Sequence, residues 1–295
     1  MSQQKSVFQL LCGFNILYAT DGLQGSSVCP AETKNLAECK AAGADTTGTP
    51  KPVEIEALLS GTSLEIVWEK QKVDENISRT LTIPQQFFPD VDEEFVVGCL
   101  NSGANTAACQ VTLTLAAKAT FVEGKKVFCA HGESSNPTVQ SMTVSEVDNN
   151  FTLVCGDKGQ IVQTDYEESY CSPSEGKEAV TKFGGDYKTI LPSYEQAWWS
   201  GDDGKSFTLT VPKEKVPRGE ATFMIQCQKK SKKAEAKEIT SENRKLSACS
   251  VHVTIQGTGP PSSSFASLSV YSAGHRLVLW VNGLLATVQD LSSLA

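Results

Sequence analysis

The strongest constraint on this chain is that it contains itself twice. Arg79–Cys99 (RTLTIPQQFFPDVDEEFVVGC) aligns without a gap on Phe207–Cys227 (FTLTVPKEKVPRGEATFMIQC) at a constant offset of 128. Identities fall at Thr80/Thr208, Leu81/Leu209, Thr82/Thr210, Pro84/Pro212, Pro89/Pro217, Phe95/Phe223 and Cys99/Cys227. Upstream, FQLLCG at Phe8–Gly13 matches FTLVCG at Phe151–Gly156 with an offset of 143. Downstream, ACQVTLT at Ala108–Thr114 matches ACSVHVT at Ala248–Thr254. Chance does not produce three ordered blocks, so the chain is a tandem duplication and each copy must bury its own core.

Every block reads as strand. TLTIP and TLTVP alternate, are rich in β-branched residues, and stop at a proline that cannot continue a central ladder. EFVVGC and TFMIQC are short apolar runs suited to a buried strand, and CQVTLTL and CSVHVTI alternate with period two. Neither copy contains a long amphipathic segment; Val53–Leu59 and Tyr187–Leu191 suggest a single helical turn in each. The expected fold is all-β, with two tandem disulfide-stapled β-sandwich domains at 1–117 and 118–257, followed by a linker and tail at 258–295. Trp68 and Trp198–Trp199, just before the TLT strands, read as packing residues.

Ten cysteines lie at 12, 29, 39, 99, 109, 129, 155, 171, 227 and 249, and none forms a C-x-x-C pair. With only three histidines (His131, His252, His275), zinc and redox-motif spacings are lacking. Cysteines tens of residues apart fit structural disulfides and an oxidising compartment; the alternative is a cytosolic protein with buried thiols. The formal charge of −8 argues against nucleic acid as a partner. Residues 1–117 hold 7 Lys+Arg against 14 Asp+Glu, whereas 118–257 hold 18 against 19, so the negative charge is concentrated in the first unit. The nucleophile elbow G-x-S-x-G, the zinc pair H-E-x-x-H and the phosphate-binding G-x-x-x-x-G-K-[ST] are all missing. The inventory points away from an enzyme and calls for no cofactor and no catalytic or metal-binding residues.

Cys12, Cys29, Cys99 and Cys109 correspond to Cys155, Cys171, Cys227 and Cys249, whereas Cys39 and Cys129 have no counterpart. Shifting Cys129 back by 143 lands before Met1, which places the start of the first unit inside its own second strand. The expectation is a first domain without its leading strand, through a displaced start, a decayed copy or an evolved shortened edge. MSQQKSVFQLLCGFNILYATDG has no clean apolar core before a small-residue cleavage site, so it does not read as a signal peptide.

These features resemble the SRS superfamily, the surface antigens of Toxoplasma-like coccidian parasites related to the major tachyzoite surface antigen. The resemblance rests on the TLTxP strand with a second proline five residues on, the F-x-x-x-C strand, the final C-x-V-x-[VL]-x strand, TLVCGDKG at Thr152–Gly159 and ILPSYEQAWWSGDDGKSFTLTVPKE at Ile190–Glu214. It covers about residues 6–257. It implies a β-sandwich ectodomain held on the outer leaflet by a glycolipid (GPI) anchor, with a homodimer through domain 1. It also implies host-cell surface receptors or sulfated glycans, and host antibodies, as partners in attachment or immune modulation; the alternatives are a sulfated-glycan receptor using the basic loop of domain 2 and a structural coat protein with no ligand. The family's cysteine pairing, carried over, gives Cys12–Cys99, Cys29–Cys39, Cys129–Cys249 and Cys155–Cys227, and leaves Cys109 and Cys171 unpaired.

Candidate sites follow from that frame. Lys229, Lys230, Lys232, Lys233, Lys237, Arg244 and Lys245 lie between Cys227 and Cys249 and form a candidate glycan-binding loop, although Glu235, Glu238 and Glu242 interleave with them. The acidic run Asp90, Asp92, Glu93 and Glu94 argues against polyanion binding through domain 1. Sequons at Asn76 and Asn150 are candidate N-glycosylation sites. Ser262, Ser263 and Ser264 are candidate GPI attachment sites, followed by a spacer and the apolar run Leu277–Val288, too short to span a membrane as a helix.

Overall fold

The period-two runs become strands with an antiparallel partner each, some a sequence neighbour and others distant along the chain. A computed structural model describes residues 1–13, 16–18, 25–39, 50–61, 66–73, 76–101, 106–163, 165–172, 183–202, 204–230, 248–259, 278–281 and 284–287. In the first unit the strands are β1 (Val7–Cys12), β2 (Ile16–Tyr18), β3 (Ser27–Pro30), β4 (Val53–Glu54), β5 (Glu69–Val73), β6 (Asn76–Thr82), β7 (Glu93–Asn101) and β8 (Ala107–Leu115). They form one sheet in the order β1-β6-β5 and a second in which β7 lies between β8 and the β2, β3 and β4 segments.

The second unit opens with β9 (Phe121–Glu123), β10 (Lys126–Phe128) and β11 (Gln140–Val144). It continues through β12 (Asn150–Val154), β13 (Gly159–Ile161), β14 (Ser169–Cys171), β15 (Phe183–Asp186), the one-turn helix α1 (Tyr187–Ile190), β16 (Trp199–Asp202), β17 (Ser206–Thr210), β18 (Ala221–Lys229) and β19 (Cys249–Ile255). Its sheets run β16-β17-β12-β10-β9 and β11-β19-β18-β14-β15, with β13 also on β18. The apolar tail run pairs as a hairpin of β20 (Val278–Val281) with β21 (Leu284–Thr287).

The duplication is reproduced in register. Cys29 stands opposite Val96 as Cys171 stands opposite Met224, and Tyr18 opposite Cys99 as Ile161 opposite Cys227. A single helical turn follows β4 at Ile55–Leu58, as α1 follows β15. The difference lies at the start of each unit. β1, paired with β6, is the counterpart of β12, which pairs with β17 and is the fourth strand of the second unit. Among the described residues β9, β10 and β11 have no strand counterpart. Those strands make parallel pairings, β10 with β12 and β11 with β19.

Each unit has its own core. Phe95, Val97, Leu81 and Leu115 are fully buried in the first, and Phe223, Ile225, Leu209 and Ile255 are their repeats in the second. Trp68 meets Phe8 edge-on, and Trp199 meets Phe151, Tyr166 and Tyr187, so the tryptophans are core residues. Burial pushes the Tyr166 phenol up to about 12, with Glu167 beside it adding to the shift, which keeps this aromatic cluster uncharged.

Four disulfides cross the layers or close a loop. Cys12–Cys99, Cys155–Cys227 and Cys129–Cys249 tie one sheet to the other, with Cα separations of 5.8, 5.5 and 5.6 Å. Cys29–Cys39 clips a loop of only 10 residues. Cys109 is exposed, and Cys171, outside the four bridges, is buried. Chain entropy scales with the loop closed, giving about 5 kcal/mol for a separation of 120 and about 3 for one of 10. Replacing Cys129 and Cys249 together by serine should therefore lower unfolding stability by about 5 kcal/mol, and the Cys29/Cys39 pair by about 3, in denaturant titrations.

Candidate interaction site at the domain junction

The acidic turn of domain 1 is where the second unit takes hold. Asp92 accepts hydrogen bonds from the backbone N–H groups of Ala117 and Glu133, both at 2.7 Å, one through each carboxylate oxygen. Asp90 pairs with Lys118 at 2.7 Å and accepts from the Ser60 hydroxyl at 3.1 Å. Its carbonyl receives the His131 N–H at 2.6 Å, and the Pro89 carbonyl receives that of Lys118 at 2.9 Å. Gly132 is required here: a Cβ would lie 2.4 Å from the Asp92 carboxylate. Two of the four carboxylates in the acidic run thus serve an internal purpose. Glu94 only accepts from the Thr114 hydroxyl.

His131 anchors this turn from the other side. Its Nε2 lies 2.9 Å from the Cys155 carbonyl, which can only accept, so Nε2 carries the proton and Nδ1 is bare. Nδ1 is buried with no partner among the described residues. Burial holds the imidazole below its ordinary value of 6.5, against the pull of the Cys155 carbonyl and Asp90, while Lys229 adds to the depression. The ring fits because residue 159 is glycine; a Cβ there would lie 2.2 Å from Nε2. The surrounding loop is closed by Thr120 and Asn136, whose side chains bond each other at 2.6 Å and the Ala130 backbone on both sides.

A basic rim sits beside this junction. Lys205 Nζ lies 2.7 Å from Asp157, and Lys230 Nζ donates to the Asp157 carbonyl at 3.0 Å. The hydrogen bond and charge of Lys205, then Lys230 and Lys158, hold the Asp157 carboxyl below its ordinary value. The structure therefore gathers Lys158 and Lys205 with Lys229 and Lys230, although they come from three separate stretches. Sequence reading had only the contiguous loop to follow. Lys232, Lys233, Lys237, Arg244 and Lys245 lie outside the described residues, as do Ser262, Ser263 and Ser264. Asn76 opens β6 beside the β5 turn, and half-buried Asn150 opens β12 opposite Thr210. Among the described residues no cluster of His, Cys, Asp and Glu could hold a metal, and no helix is long and apolar enough to cross a membrane.

Two measurements test the junction. Asp92→Ala leaves two N–H groups without their carboxylate and should destabilise by about 1.5–3 kcal/mol in thermal or denaturant melts. Between its depressed folded value and 6.5, unfolded His131 binds the proton that folded His131 refuses, so stability falls as pH drops through that window. His131→Asn should flatten this acid limb in a pH series of melts.

With this geometry in place, comparisons with known proteins are informative. A family model described as SAG, SRS domain, matches residues 1–115 and again 125–255. The solved structure of the bradyzoite-specific antigen BSR4 from Toxoplasma gondii superposes with a TM-score of 0.68 at 24% identity, covering 88% of this chain and 89% of that one. SporoSAG from Toxoplasma gondii aligns over 85% of this chain and 92% of that one, but with a TM-score of 0.30 and 14% identity. No curated protein sequence matches significantly. Two family matches on two units with the same strand register leave one conclusion: the chain belongs to the SRS-domain family, whose members are parasite surface antigens.

Proposed function

We propose that this protein is a non-enzymatic antigen displayed on a parasite surface, where it acts in attachment to host cells or in engaging host immunity. Family membership supports surface display. The observation that carries the reading further is the junction built on Asp90, Asp92 and His131, which links the two domains by hydrogen bonds. Two grooves among the described residues, of about 600 and 370 Å³, are open, and the residues lining them form no catalytic arrangement. In this reading a glycolipid anchor attached at Ser262, Ser263 or Ser264 holds the protein on the outer leaflet. Host-cell receptors and antibodies meet the domains, and a second copy pairs through domain 1. In this reading Asn76, which opens β6, and Asn150, which opens β12, are the glycosylation sites. Soluble two-domain protein should reduce parasite attachment to cultured host cells in a dose-dependent way; attachment unchanged at saturating protein removes the adhesion reading.

The basic rim favours a second reading, a receptor for sulfated glycans. Lysine and arginine bind sulfate as point charges or forks, and four lysines around the single Asp157 carboxylate leave a local excess of positive charge that the net charge lacks. On a heparin column the two-domain protein should elute above the salt expected for a chain of charge −8. Replacing Lys158, Lys205, Lys229 and Lys230 by alanine should bring elution down to that level.

A further inference from the structure

Where one copy of the repeat buries a ring, the other buries a charge. Arg79 on β6 occupies the position of Phe207 on β17, and each stands opposite a buried leucine, Leu10 or Leu153. Phe207 is 4% exposed and packs edge-on against Tyr166, ring centroids 4.8 Å apart. Arg79 is 8% exposed, and its guanidinium lies over the Tyr18 ring at 5.2 Å from the centroid. The Tyr18 hydroxyl donates to the Leu10 carbonyl at 3.3 Å, which ties that ring to the neighbouring strand.

A buried cation calls for an anion, and the strands around Arg79 supply none. Its Nε is buried without a hydrogen-bond partner, and no carboxylate pairs with the guanidinium among the described residues. The residue opposite it on β1 is Leu10, and the one opposite it on β5 is Lys70. Directly opposed residues share a face of the sheet, so a second cation stands beside the first, where like charges repel. Lys72 falls on the same face by alternation, and both lysines are exposed on β5, the outer strand of its sheet. In the second unit the place of Lys70 belongs to Gly201, opposite Phe207. Arg79, Lys70 and Lys72 thus gather positive charge at one margin of the acidic domain.

We propose that the margin of domain 1 between β5, β6 and Tyr18 is a binding site for a carboxylate, which Arg79 receives at the base and Lys70 and Lys72 attract at the mouth. Tyr18 takes one face of the guanidinium and leaves its edge. Nε and a terminal nitrogen form a fork along that edge, matched to two carboxylate oxygens in one plane. The slot is the one that a flat ring fills in the other copy, so a planar carboxylate suits it better than a tetrahedral sulfate. This site is separate from the lysines around Asp157, and either can fail without the other.

The test uses the full chain with isotopically labelled arginine, whose four Nε–H resonances are assigned with the help of Arg79→Lys. The Arg79 resonance should move saturably with sodium acetate, stay in place with sodium chloride at the same ionic strength, and move alone. A peptide with two glutamates separated by one residue distinguishes the sources of the carboxylate. Binding about tenfold tighter than acetate assigns the site to an acidic polypeptide, and equal affinity to a small free acid. Arg79→Lys keeps the charge and loses the fork, so it should weaken acetate binding about tenfold in a thermal-shift titration. Lys70→Glu leaves Arg79 untouched and sets a carboxylate opposite the guanidinium; it should raise the melting temperature and abolish the acetate response. An Arg79 resonance that ignores both acetate and peptide, or a Lys70→Glu protein that still answers acetate, overturns the proposal. So does tighter binding of sulfate than of acetate, which assigns the site to sulfated ligands.

Discussion

The cross-link from one sheet to the central strand of the other is the interaction on which the rest depends. Cys12–Cys99 and Cys155–Cys227 each join the strand that carries the F-x-L-x-C or F-x-x-x-C pattern to its opposite layer. That strand, β7 or β18, is also where the aromatic core residue Phe95 or Phe223 is buried. Fixing one cysteine on each sheet sets the spacing of the layers and the face each strand turns inward. A one-residue slip would turn the phenylalanine and the cysteine away from the facing sheet together, so the disulfide enforces the register that places Phe95 or Phe223 in the core.

Duplication then supplies one loop geometry for two purposes. The turn after the TLT strand is Pro89-Asp90-Val91-Asp92 in the first unit and Pro217-Arg218-Gly219-Glu220 in the second. In both, the proline carbonyl receives an N–H from the segment that leaves the last strand, Lys118 in one case and Thr258 in the other. In the first turn Asp92 faces two further backbone N–H groups and Asp90 faces Lys118. That pair of carboxylates converts a turn into a joint between domains. Charge-assisted hydrogen bonds to backbone donors are short and directional, which suits a joint better than a charge pair in solvent.

Much of the architecture could be read from residues alone. Period-two alternation identified the strands, the constant offset of 128 identified the repeat, and the position before the TLT strands marked Trp68 and Trp199 as core. Other features were hidden. Asp90 and Asp92 look like exposed acid in sequence, because the N–H groups they meet belong to residues up to 41 positions away. His131 gave no signal beyond being a histidine; its role depends on Gly159 leaving room and on the Cys155 carbonyl lying within reach. Lys158 and Lys205 join the basic rim only because β13 lies against the end of β18 and the turn before β17 passes beside Asp157.

By itself the sequence determined that two all-β units follow one another, which segments form the buried strands, and that the cysteines brace them. These are consequences of local periodicity and of a repeat, both of which are visible along a line. Only the tertiary structure decided that the acidic turn is the joint, and that among the described residues β9, β10 and β11 have no strand counterpart in the first unit. Those facts concern which residues meet across the sandwich, and a parallel strand or a carboxylate capping distant N–H groups leaves no periodic trace in the chain that forms it.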